Sequence, residues 1–68
     1  MDSQKQLGQN IKKARKKAGL TQLDVAEKSA ISVNYFARIE RGEVNPSMDI
    51  LEQIAKALKV KSSEILPF

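Results

Sequence analysis

Apolar residues recur at spacings of three and four along most of this chain, and no stretch alternates apolar with polar. That period belongs to helices that bury one face, and it argues against a sheet. Leu7, Ile11, Ala14 and Ala18 mark a first helix, expected over 4–18, which Gly19 is placed to end in a left-handed conformation. Thr21 caps a second helix over 22–29, with Asp24 as a short-armed capping-box partner and Val25 and Ala26 pointing inward. Ser32 caps a third over 33–41, anchored by Phe36, Ile39 and the preceding Ile31, and stopped at Gly42. Pro46 disfavours helical geometry at Asn45, so 43–46 reads as a loop. Ser47 caps a fourth helix over 47–58, with Met48, Leu51, Ile54, Ala55 and Leu58 as its core face. Ser62 or Ser63 caps a last short helix over 62–66 that carries Ile65 and Leu66. The expectation is an all-α bundle of five helices in a single domain, 1–68.

The third helix carries more than a core stripe. Val33, Asn34, Tyr35, Ala37, Arg38 and Arg41 cannot all face inward, so a polar, aromatic and basic strip must meet solvent or a partner. Two short helices joined by a tight turn, the second with such a face, form the outline of a helix-turn-helix.

Composition narrows the chemistry. The 68 residues suffice for one small domain that buries a modest fraction of its surface. Neither cysteine nor histidine occurs. A Cys/His metal site and a disulfide are therefore excluded, and the commonest neutral-pH general base is missing. No nucleophile–base pair or phosphate-cradling glycine loop is present, so neither an enzyme nor a cofactor is expected. No apolar run approaches the roughly 20 residues that span a bilayer. The first ten residues lack the apolar centre of a signal peptide, and a cytoplasmic location is the default expectation. The formal net charge is +4, and Lys12, Lys13, Arg15, Lys16 and Lys17 form one dense basic block. Such a block suits an anionic partner through long-range attraction. Its lysines span too wide an arc of the helix to touch one groove together.

From about Leu7 to Leu66 the chain resembles the phage-repressor and Cro-type (XRE-like) helix-turn-helix domains. The resemblance is carried by GLTQ at Gly19–Gln22, RIERG at Arg38–Gly42, and NPS at Asn45–Ser47 followed by ILEQIAKAL. It implies the lambda-repressor-like fold, with helices two and three as the DNA-binding unit. It also implies roles. Val33, Asn34 and Arg38 are expected to read base edges: asparagine can pair with adenine, arginine with guanine, and valine can pack on a thymine methyl. Gln22, Ser32, Tyr35, Arg41 and Asn45 are expected at phosphates, Gln22 aided by the positive dipole end of its helix. Ala26 looks like the small residue at which helices two and three approach closely. Arg15 and Glu40 match a structural ion pair between helix one and the end of helix three. The sequence also departs from the pattern. Ala30 and Lys59 stand where glycine is usual, and Leu23 stands where a polar residue is usual.

One half-site is too short to be distinctive, so two copies on a near-palindromic operator are expected. Ile50, Ile65 and Phe68, apolar and not obviously needed in the core, are the expected dimer seam. The reading is a homodimeric transcriptional regulator, a repressor by preference, that acts on double-stranded DNA without a membrane partner. Two alternatives stand beside it. One is an interaction module such as an antitoxin or coactivator-like domain, using Leu23 and the apolar end to hold a protein partner. The other is the DNA-binding part of a longer repressor.

Overall fold

In the computed structural model, which describes residues 2–68, every α-helix starts at a side chain that accepts a hydrogen bond from its own first turn. Asp2 Oδ1 accepts from Gln4 N (2.9 Å) ahead of α1, Ser3–Lys17. Thr21 Oγ1 accepts from Asp24 N (3.0 Å) ahead of α2, Gln22–Lys28. Asp24 Oδ2 answers by accepting from Thr21 N (2.9 Å), so the short-armed capping box closes. The Thr21 backbone N–H holds the Asp24 carboxyl below its ordinary pKa. Ser32 Oγ accepts from Tyr35 N (3.0 Å) at the head of α3, Val33–Glu40. Ser47 Oγ accepts from Ile50 N (3.2 Å) at the head of α4, Met48–Leu58.

The helix ends share one device. Each closes with a six-to-one backbone bond around a residue of positive φ. Leu20 N donates to Arg15 O (3.1 Å), Ile31 N to Ala26 O (3.0 Å), Glu43 N to Arg38 O (2.9 Å) and Val60 N to Ala55 O (3.0 Å). The positive-φ residues are Gly19 (73°), Ala30 (59°), Gly42 (75°) and Lys59 (59°). Ala30 and Lys59 thus adopt the left-handed conformation that the family's usual glycine would adopt freely. For an L-residue this costs roughly 1–2 kcal/mol, partly offset because glycine loses more chain entropy on folding. Ala30→Gly is therefore expected to stabilise the domain by about 0.5 kcal/mol, read as a raised urea midpoint at unchanged slope. A lowered midpoint would show that the strain is relieved elsewhere.

The expected fifth helix is corrected. Residues 62–64 form a single 3-10 turn, Ser62–Glu64, so the described residues form four α-helices. Only a few residues separate left-handed Lys59 from Pro67, which has no N–H to extend a helix. The turn is held by Glu64 N on Lys61 O (2.9 Å), and Glu64 Oε2 accepts from Lys61 N (2.6 Å).

Leu7, Ile11, Val25, Ala26, Phe36, Ile39, Leu51, Ile54, Ala55, Leu58 and Ile65 form one core. Three sequence expectations change here. Ala18, expected on the apolar face of helix one, is the exposed C-cap of α1. Met48, expected inside, is 55 % exposed. It occupies the first residue of α4, past the edge of the core, and lines an open groove with Leu51, Leu66 and Phe68. Ile65, expected at a dimer seam, is fully buried because the 3-10 turn drops its side chain into the core. Asn10 Nδ2 donates to the Ile65 carbonyl (3.1 Å) and ties the turn to α1.

Gly8, inside α1, sets how closely that helix approaches the end of α3. A Cβ there would lie 2.6 Å from the Ile39 carbonyl oxygen and closer still to that of Glu40. Backbone atoms cannot rotate aside as a side chain can. Gly8→Ala gains about 1 kcal/mol of helix propensity yet must push two helices apart. The net expectation is a loss of about 1–3 kcal/mol, measured by thermal melting. A melting temperature at or above that of the parent would contradict the close approach.

Candidate nucleic-acid interface

The fold presents α3 as a rod with one sealed face and one open face. Phe36 and Ile39 are fully buried. Asn34, Arg38 and Arg41 lie on the opposite side and are exposed, and Val33 is 37 % exposed at its edge. Asn34 and Arg38, one turn apart, project side by side. Tyr35 is half-buried and packs its ring along the core, while Asn45 is exposed in the loop beyond α3. Ser32 uses an oxygen lone pair for its cap, which leaves its hydroxyl hydrogen able to donate outward.

A buried polar knot fixes the rod. Arg15 Nε donates to Glu40 Oε2 (2.6 Å), Nη2 to Glu40 Oε1 (3.2 Å) and Nη1 to the Leu20 carbonyl (2.9 Å). The two side chains are only 11 % and 3 % exposed. This is the two-pronged pairing that lets a carboxylate stay charged inside a protein. Gln22 Nε2 adds a further bond to Glu40 Oε1 (2.9 Å). Helix one, the head of helix two and the tail of helix three are therefore locked at one carboxylate. Gln22, expected at a phosphate, is partly committed to this knot. The second N–H of its amide has no partner among the described residues, so it remains able to donate outward.

A second cluster was not legible from the sequence. Arg41 Nε donates to Glu43 Oε2 (2.7 Å), and Nη2 to Oε1 (3.3 Å). Arg38 Nε lies 3.6 Å from Glu43 Oε1. The Arg41 hydrogen bond, followed by the charges of Arg41 and Arg38, holds the Glu43 carboxyl below its ordinary pKa, and Glu43 raises that of Arg41 in turn. Glu43 stands only two residues after Arg41, but nothing in its spacing says that the turn folds it back over both arginines. Gly8 went unread as well. Its signal was present: a glycine between two core residues of a helix usually marks a close packing contact.

The four lysines of the basic block, Lys12, Lys13, Lys16 and Lys17, are exposed on the solvent side of α1, while its Arg15 is withdrawn into the knot. Among the described residues none of these four has a carboxylate within salt-bridge distance. Of the three seam residues, Phe68 is 94 % exposed, Ile50 is half-buried against the core, and Ile65 is withdrawn altogether. No helix among the described residues is long and apolar enough to cross a membrane.

This arrangement has named counterparts. Residues 11–65 match the helix-turn-helix family, and the chain belongs to it. It is 47 % identical over 60 residues to the immunity repressor protein of Bacillus phage phi105, covering 88 % of this chain and 42 % of that protein. It is 36 % identical over 61 residues to the transcriptional regulator SinR of Bacillus subtilis, covering 88 % of this chain and 55 % of SinR. Among solved structures, the restriction-modification controller protein C.AhdI of Aeromonas hydrophila superposes with a TM-score of 0.89. The two are 29 % identical, and the match covers 91 % of this chain and 94 % of that one. The chain thus spans less than half of the phage repressor and nearly all of the controller protein.

Proposed function

We propose that this chain is a sequence-specific DNA-binding transcriptional regulator, a repressor by preference, that acts in the cytoplasm on a near-palindromic operator as a dimer. One observation carries the reading. Asn34 and Arg38 project from a helix whose other face is fully buried and whose tail is pinned by the Arg15–Glu40–Gln22 knot. Base reading needs such a rod, because a side chain must arrive at a base edge already oriented. In this reading Asn34, Arg38 and Val33 face the bases. Gln22, Ser32, Tyr35 and Asn45 face phosphates, Arg41, also expected there, is instead paired with Glu43, and the lysines of α1 draw the duplex in. The names of the relatives support the regulatory role: a phage immunity repressor, SinR and a controller protein. Phe68 and Ile50 remain for a dimer seam.

The test is selection of bound duplexes from a random pool, with the mass of the complex measured alongside. The expected result is an enriched motif with two half-sites about one helical turn apart and two chains per duplex. A pool that yields no enriched motif refutes base reading. A complex with one chain refutes the dimer.

One observation favours a second reading. Leu23 on α2 is 53 % exposed and Phe68 at the apolar end is 94 % exposed, and together they offer apolar surface that a protein partner could cover. A protein partner seated there would make the chain an interaction module, detected as a stoichiometric complex without salt-dependent DNA binding. The coverage of the phage repressor favours a third, in which this is the DNA-binding part of a longer regulator.

A further inference from the structure

Three of the four helix endings place an apolar residue where the six-to-one bond closes: Leu20, Ile31 and Val60, each packed on the core. That contact is the usual companion of this kind of turn. At the end of α3 the same position holds Glu43. Its backbone N–H closes the turn on the Arg38 carbonyl as the others do, so the turn does not depend on the carboxylate. The carboxylate instead folds back over the two arginines of the open face. It takes the side-on edge of Arg41 through Nε and Nη2. Its shortest contact with Arg38 is at Nε (3.6 Å), and the two terminal nitrogens of Arg38 make no hydrogen bond among the described residues.

The two arginines are therefore treated differently. Arg41 is neutralised, and its paired donors are occupied. Arg38 is braced at its stem while the fork that pairs with guanine stays free. The three side chains are each about half exposed, so the cluster contributes little to folding. Its consequence lies in what approaches the face. A phosphate arriving from any sequence meets Glu43 as a like charge and must compete with it for Arg41. A correct base edge needs only the free fork of Arg38.

We infer that Glu43 is a specificity-determining residue of this surface: it withholds Arg41 from phosphates of any sequence while leaving the Arg38 fork to read a base. This rests on the DNA-binding reading above. The test compares Glu43→Gln with the parent on two duplexes of equal length, the one enriched by the parent and one of random sequence, over a series of salt concentrations. Glu43→Gln is expected to bind the random duplex several-fold more tightly, with a salt slope steeper by about 0.9 for each subunit, one added phosphate contact. Affinity for the enriched duplex should rise less, so the ratio between the two falls. Adding Arg41→Ala to Glu43→Gln should abolish the gain. Unchanged random-duplex affinity and slope in Glu43→Gln would overturn the inference, and so would a gain that survives the loss of Arg41. If the parent itself enriches no duplex, the failure belongs to the DNA-binding reading. A parent that reads its motif alongside an inert Glu43→Gln confines the failure to Glu43. Thermal melting of each variant confirms that the differences arise from a folded domain.

Discussion

Arg15→Ala is expected to strip the protein of most of its stability and bring it close to its unfolding midpoint at room temperature. The Glu40 carboxylate, 3 % exposed, would lose both prongs of its guanidinium partner and keep only the amide of Gln22. The Leu20 carbonyl would lose its side-chain donor as well. Breaking one partner of a buried ion pair costs about 3–5 kcal/mol, because the remaining charge is left in a poor solvent. A domain of this size holds only on the order of 5 kcal/mol in total. Urea titration followed by circular dichroism would measure the loss. A change of less than about 0.5 kcal/mol would place the pair with ordinary surface residues and sink the knot as the anchor of α3. The paired replacement Arg15→Met with Glu40→Leu separates charge from shape. With no stranded carboxylate, it should recover most of the stability while freeing Gln22. If that variant folds but binds its duplex more weakly, the knot positions α3 as well as stabilising it.

Arg38→Ala carries the largest expected effect on binding. A bidentate arginine–guanine pair discriminates against a wrong base by about 1–3 kcal/mol, roughly a 5- to 150-fold loss at one half-site. In a two-fold complex the loss counts twice. Preference should relax at one base pair in each half-site and hold elsewhere, as read by repeating the random-pool selection with the variant. Lys12→Ala is the contrast. An exposed lysine on the solvent side of α1 should lower affinity slightly and equally for all sequences, with a shallower salt slope. Should Arg38→Ala lose affinity uniformly, with its preference intact, then Arg38 meets phosphate and the base-reading strip must be redrawn around Asn34.

Much of the fold was legible because its signals are local. Thr21, Ser32 and Ser47 cap the helices expected of them, since a short polar side chain ahead of an apolar period has few better uses. Phe36 and Ile39, three apart, placed one face of α3 in the core and thereby turned Asn34 and Arg38 outward. The Arg15–Glu40 pair came from resemblance, since 25 residues separate its members and no local rule links them. The misplacements run in opposite directions. Met48 continues the helical apolar period of α4 yet lies beyond the edge of the core, while Ile65, assigned to a seam outside the core, is driven into its centre. Period fixes which residues share a face of one helix; it does not say where that helix ends against its neighbours.

Taken alone, the order of residues determined the four α-helices, the caps of the last three, most of each buried stripe and the polar strip on the third, because each depends on contacts within a turn or two of chain. Tertiary packing decided the rest: the close approach of α1 to α3 at Gly8, the commitment of Gln22 to Glu40, the burial of Ile65 and the fold-back of Glu43 onto Arg38 and Arg41. Most of these depend on distances between segments that the chain brings together only when the core closes. The last depends on the direction in which a left-handed residue, Gly42, turns the backbone after it.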